Sequence, residues 1–297
     1  MVEATQLAVA QTLETTPEGD IQFVVRGYSW RPFLGFHLPH IDTISHRGLG
    51  SAPLFGEHTL TLTKEHYCLE CLRPTPGTSH CEECAQLPKV QRMECITKGA
   101  GTPYNQPCDP NNPPCESAWA AQYCADEHVI YIAGFGEVFK VGVTRARRWN
   151  DPDGYRYRLI EQGADCATVL AGELDLPSAQ YTEQLIADTL GLESRVGFHL
   201  KAEEFTHPAE PHLETLRELK EQVLQRFHLR EVCTLDLSHA YGVLPRLAVD
   251  DACWEIGDLV GRVVYVRGNV VYLESNGYTV AHDLHSLRGR GIICEED

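Results

Sequence analysis

Four cysteines stand at a spacing that makes a metal site: Cys68-x2-Cys71, a nine-residue loop, then Cys81-x2-Cys84. Each CxxC pair lets two thiolates converge on one ion, and two such knuckles complete the tetrahedron that Zn2+ takes with sulfur. The loop between them, LRPTPGTSH, carries the Pro and Gly of a turn. Four thiolates leave no open position for water, so the zinc would be structural. The bland alternatives are disulfides or free buried thiols. Disulfides fit poorly, because the first twenty residues carry Glu3 and Glu14 and lack the basic start of a secretory signal. A cytoplasmic location is expected. Cys95, Cys108, Cys115 and Cys124 follow at irregular intervals, in a stretch that includes PYNQPCDPNNPPC. Spacing alone leaves a second zinc and free thiols equally open there. A metal would explain how so much Pro and Asn stays ordered. Cys166, Cys233, Cys253 and Cys294 are most simply buried apolar thiols.

The second chemical feature is a group of cations. Lys140, Arg145, Arg147, Arg148, Arg156 and Arg158 crowd into one stretch of a chain whose formal net charge is −17. The total argues against a protein that coats any duplex. The local cluster predicts one basic face and a specific partner. Lysines are scarce otherwise: Lys64, Lys89, Lys98, Lys201 and Lys220 complete the set. GFGEVF, from Gly134, connects two strands and opens no helix, so it is not a dinucleotide fingerprint. No apolar run approaches the roughly eighteen residues of a membrane span.

The elements that must position these cations lie between residues 128 and 190. Residues 129–133 and 139–143 are apolar, β-branched runs that predict two strands, with Gly134, Phe135 and Gly136 as the turn between them. Residues 156–162 predict a short helix stopped by Gly163, and residues 166–174 a third strand. Ser178 is the expected N-cap of a helix that sets Leu185, Ile186 and Leu190 on one face. Before this core, residues 15–66 read as a small β cover, with β-rich runs at 21–25, 28–36 and 58–63. After it, Leu213, Leu216, Leu219, Val223 and Phe227 mark an amphipathic helix over 212–228, expected to pack on the core. Between 257 and 280, Gly261 and Gly268-Asn269 separate β-branched runs, which predicts a small curled sheet or SH3-like barrel. The 297 residues, 43% hydrophobic, suffice for about two domains, or three small ones, with a sizeable core.

The order strand, strand, helix, strand, helix, with these residues, resembles the GIY-YIG nuclease superfamily over about sixty residues. Val129-Ile130-Tyr131 stands where the first signature would stand and Lys140-Val141-Gly142 where the second would. The run RLIEQ, 158–162, matches the helix that carries the family's catalytic Arg, and Glu183 falls at its metal-binding Glu. The resemblance implies that Tyr131 activates or positions water, Arg158 stabilises the phosphate and Glu183 holds one divalent Mg2+ or Mn2+. Lys140 replaces the second Tyr, as in outlying branches, and Gln162 replaces the usual His. A guanidinium and a metal ion would neutralise charge that develops on the phosphate, and Mg2+ needs only one or two carboxylates.

The wider pattern resembles an uncharacterised prokaryotic family of unknown function, DUF2797-like. It comprises two CxxC knuckles, a second cysteine run with Trp119, then KVGVTR (140–145) and RLIEQGA (158–164). That resemblance implies a second zinc on Cys95, Cys108, Cys115 and Cys124, with His128 beside it. The expected architecture is α+β: a β segment (1–66), a cysteine-rich zinc region (67–127), a GIY-YIG-like three-stranded sheet with helices (128–195), a connector and helix (196–230), and a small C-terminal β barrel (231–297). Three functions follow: a metal-dependent endonuclease, a non-catalytic binder of nucleic acid or ribonucleoprotein, and a structural or regulatory protein. Zinc with a basic edge and a β barrel favours the first two, and Lys140 in place of Tyr favours the second.

Overall fold

A computed structural model describes residues 23–33, 36–45, 48–77, 79–87, 90, 124–146, 154–207, 211–242, 247–249, 251–253 and 259–293. The large sheet has ten strands. Its first half is β1 (Phe23–Phe33), β2 (Phe36–Ser45), β3 (Gly48–Pro53), β4 (Gly56–Tyr67) and β5 (Pro74–Thr75), followed by the short helix α1 (Glu82–Ala85). The core stretch supplies β6 (His128–Phe135), β7 (Val138–Arg145), α2 (Gly154–Gln162), β8 (Cys166–Leu174) and α3 (Leu176–Leu190). Then come α4 (Phe198–Glu204), α5 (Leu213–Arg226), β9 (Arg230–Asp236), β10 (Asp251–Cys253), β11 (Leu259–Arg267), β12 (Val270–Ser275), β13 (Tyr278–Asp283) and β14 (Arg290–Ile293).

The core sheet is antiparallel, ordered β7-β6-β8-β9, so the expected three-stranded sheet has a fourth strand. β9 joins because residues 230–236 complete the free edge of β8. Every residue of β6 is buried, which is why HVIYIAGF reads as an unbroken apolar run rather than an alternation. The strand runs through Phe135, so the turn is Gly136-Glu137 rather than 134–136. One face packs Ile130, Ile132 and Val141 against Ile186 of α3 and Leu216 and Val223 of α5. The other sets Val129, Tyr131 and Ala133 against Leu159 and Ile160 of α2 and the large sheet's Trp30, Ile41, Val266 and Tyr272. The N-cap of α3 is Asp175, not Ser178: the Asp175 carboxylate accepts the backbone N–H of Ser178.

The expected C-terminal barrel is corrected. β11, β12 and β13 form a meander, but it does not close. β11 pairs with β4 on its other edge, and β13 pairs with β10 in parallel. The reason is length: residues 259–263 of β11 find partners in residues 56–60 of β4, so the edge that would close a barrel is taken. β14 lies between β4 and β1 and pairs with both. Residues 23–67 and 259–293 therefore share one open sheet, in the order β10-β13-β12-β11-β4-β14-β1-β2-β3, with β5 paired to β4 off this path.

The two sheets meet at a buried ion pair, Arg267–Asp165, with both side chains 1% exposed. Arg267 Nε also donates to Gly163 O at 2.9 Å, and its guanidinium stacks 4.0 Å from the Phe205 ring centroid. Asp165 accepts the Gly136 N–H at 2.6 Å. The β11–β12 turn closes onto the end of α2 so tightly that a Cβ at Gly268 would lie 2.6 Å from Gln162 carbonyl atoms. At φ +57° only glycine takes this position without strain.

Candidate functional site

The cysteine cluster forms where β4 ends. Cys68 and Cys84 are buried, Cys71 and Cys81 half-buried, and one ligand atom from each lies within 4.8 Å of all the others. Cys71 Sγ and Cys81 Sγ are 3.7 Å apart, close to the roughly 3.8 Å that a tetrahedron with Zn–S of about 2.3 Å requires. The first knuckle turns through Leu72, at φ 59°, and is closed by Leu72 N–H to Cys68 O at 2.8 Å. The second is the start of α1, where Ala85 N–H meets Cys81 O. Arg73 donates to Cys71 Sγ at 3.3 Å and pairs with Glu83. Burial pushes the Cys71 thiol up, but the hydrogen bonds from Arg73, Cys68 and Cys81 outweigh it and bring it to about 6. Burial, with the neighbouring thiols, pushes Cys84 up to about 12. So close a set cannot all ionise without a cation among them, and a metal such as zinc supplies one. The cluster can hold such an ion. Cys95, Cys108 and Cys115 lie outside the described residues; Cys124 is half-buried just before β6.

The second site lies where α2 crosses the β6–β7 hairpin. Tyr131 pairs across the strands with Gly142, and its ring covers that residue: a Cβ there would lie 2.3 Å from the ring. Lys140, on the same face, sets Nζ 5.7 Å from the Tyr131 ring centroid. Gln162 Nε2 donates to the Tyr131 hydroxyl at 2.8 Å. Arg158 stands one turn before Gln162 on α2, half-exposed, with Glu161 3.9 Å away. Tyr131 itself is only 2% exposed, so its hydroxyl is held as a positioning group rather than offered to solvent.

Glu183 comes from α3, which covers the opposite face. It shares the inward stripe of that helix with Ala179, Ile186 and Ala187. Burial pushes its carboxyl up to about 7, against the pull of the Lys140 charge. Tyr131, Lys140 and Arg158 thus gather on one side of the hairpin. Glu183 approaches from the other helix and reaches this group only through the field of Lys140.

Nothing in the local sequence pattern marks Lys201. It projects from α4, buried, and donates to Gln162 O at 2.7 Å and Asn269 Oδ1 at 3.0 Å, with the Phe135 ring 5.0 Å away. Asn269 in turn donates to Asp283 at 2.7 Å. Burial, then the charges of Lys140 and Arg158, bring its amine down to about 7. A neutral amine keeps two N–H groups, as many as Lys201 donates. The only available signal was its rarity: six lysines in the chain, two of them in this cluster.

A family model described as "Protein of unknown function (DUF2797)" matches residues 57–275, which takes in both sites. No curated protein and no solved structure matches the chain.

Two outcomes are expected. Purified protein should carry about one zinc on Cys68, Cys71, Cys81 and Cys84. Chelation, or Cys71→Ser, should release it and lower the melting temperature; elemental analysis that finds the Cys71→Ser protein unchanged in zinc and Tm would sink the assignment. For Lys201, the folded value lies below the ordinary lysine value of 10.5, at about 7. Its contribution to stability is therefore complete above 10.5 and lost as pH falls towards 7. Lys201→Met should flatten the rise in stability between neutral and alkaline pH; parallel stability–pH curves for the two proteins would count against it.

Proposed function

The chain belongs to the DUF2797 family, and we propose that it is a zinc-stapled nucleic-acid-binding protein with a GIY-YIG-like core, whose phosphate site is built on Tyr131, Lys140 and Arg158. One observation carries the reading: a gathering of positive charge. Among the described residues neither Lys140 nor Lys201 forms an ion pair within 4.0 Å, with Glu183 acting on Lys140 and Asp283 on Lys201 only through their fields, and Arg158 has the 3.9 Å contact to Glu161. Their mutual repulsion is part of what lowers the Lys201 amine. In a chain of net charge −17, such a cluster is an anion site. Arg158 offers a planar fork to two phosphate oxygens, a geometry that Lys cannot copy. Lys140 adds a second charge, and Gln162 with Gly142 fixes the Tyr131 ring beneath it. The zinc region, tied to the end of β4, supports the large sheet against which α2 packs.

Glu183 favours a second reading, metal-dependent phosphodiester cleavage. Its half-buried carboxylate has the charge and elevated basicity of a single-carboxylate site for a divalent ion, which when bound would polarise a phosphate oxygen. Burial of Tyr131 weighs against cleavage, since the phenol is shut away from the water it would activate.

Binding of labelled DNA and RNA at low salt tests both readings. Arg158→Ala should weaken binding about tenfold or more and reduce the salt slope by about one. For a binder, Glu183→Gln leaves affinity equal or tighter and wild type shows no cleavage with Mg2+ or Mn2+. For a nuclease, Glu183→Gln abolishes cleavage and leaves binding intact. Failure of DNA and RNA alike to bind at low salt would contradict both.

A further inference from the structure

We infer that the cysteine cluster is also an oxidation site: hydrogen peroxide joins Cys71 and Cys81 in a disulfide and so releases the metal, while Cys68 and Cys84 stay reduced. The inference goes beyond the nucleic-acid reading and rests only on the zinc assignment. The four sulfurs are not equivalent. Cys68 is 0% exposed and Cys84 7%, whereas Cys71 and Cys81 are half-buried. Each knuckle therefore supplies one inner and one outer thiolate. The two outer sulfurs face each other across the loop at 3.7 Å. All four ligand atoms lie within 4.8 Å of one another, so proximity alone selects no pair. Access from solvent does.

Arg73 marks the same outer pair. Its Nε donates to Cys71 Sγ at 3.3 Å and its Nη2 to Cys81 Sγ at 3.9 Å. The guanidinium also pairs with Glu83, and both side chains are exposed. An ion pair at the surface opens readily, so this cover does not seal the site. Hydrogen bonds to a thiolate draw off charge, and nucleophilicity falls as a thiolate becomes less basic. Arg73 therefore restrains the oxidation and does not drive it.

Zinc has no redox chemistry of its own, so both electrons come from sulfur. The Cys71 thiolate attacks one peroxide oxygen, the O–O bond breaks and hydroxide leaves, which makes Cys71 a sulfenic acid. The Cys81 thiolate then attacks the Cys71 sulfur and displaces a second hydroxide as the S–S bond forms. Two protons turn the two hydroxides into water. Cys68 and Cys84 take up one proton each as the ion departs with only two of its four ligands left. The surrounding backbone keeps its own bonds: Cys68 N–H to Arg73 O at 2.8 Å, Leu69 N–H to Ser79 O at 3.0 Å, and β5 paired to β4. The new bond closes the same loop that the metal closed, so a thiol reductant with added zinc restores the site.

The test titrates the zinc-loaded full-length protein with hydrogen peroxide and reads released zinc with a chromophoric chelator. Alkylation and peptide mass mapping then locate the new bond. Zinc release should accompany a Cys71–Cys81 cross-link, with Cys68 and Cys84 recovered as alkylated thiols, and dithiothreitol with zinc should reverse both. The oxidised zinc-free protein should melt above the reduced zinc-free protein made by chelation, because the disulfide constrains the unfolded chain. Arg73→Ala, a surface change, should release zinc about threefold faster or more. A bond within one knuckle, zinc retained after Cys71 and Cys81 are oxidised, or an Arg73→Ala rate equal to wild type would overturn the inference and leave the zinc assignment standing. A purified chain that carries no zinc would remove both.

Discussion

The Arg267–Asp165 ion pair is the constraint on which the rest of the molecule depends. Removing two charges from water costs several kcal/mol per ion, and only good geometry with further hydrogen bonds repays it. Here the repayment comes from four separate elements. Asp165 takes the turn N–H of Gly136, and Arg267 gives a bond to Gly163 and stacks on Phe205 and Tyr241. The pair therefore joins the β6–β7 turn, the end of α2, the end of α4 and the turn that holds Tyr241 to the end of β11. Gln162 of α2 and Lys201 of α4 lie beside this junction.

That junction sets the groups around Lys201 and Tyr131. Lys201 of α4 donates to both Gln162 O and Asn269 Oδ1, and so ties the end of α2 to the β11–β12 turn. Gln162 then passes the constraint to Tyr131, and Tyr131 lies flat on Gly142. Lys140 and Arg158 are left on the rim, Arg158 beside Glu161 and Lys140 within the field of Glu183. Repulsion within the group is relieved in part by the low basicity of the buried Lys201 amine, which can hold both hydrogen bonds without its charge.

What could be read from the sequence was local. CxxC spacing, the apolar runs of β6 and β8 and the heptad-like stripe of α5 each depend on residues a few positions apart, and each appears where the pattern put it. What could not be read depends on distant pairing. β11 looked like part of a barrel because nothing in GDLVGRVVYVRG says that its partner is β4, some two hundred residues earlier. Lys201 looked like an ordinary helix residue, because its partners Gln162 and Asn269 lie 39 and 68 residues away. Gln162 looked like a loss of His, yet the structure shows what the amide does: it holds the tyrosine. Asp175 rather than Ser178 caps α3 because Pro177 already occupies the first turn and leaves Asp175 outside it.

Native-state hydrogen exchange tests the central claim most directly, that Arg267–Asp165 makes the two sheets one cooperative unit. In the wild type, amides of β6 and of β12 should exchange with the same opening free energy. In Asp165→Asn that value should fall equally in both, by about 3 kcal/mol or more. A variant in which β6 loses protection while β12 keeps its own would show that the sheets are stable apart, and would contradict the account.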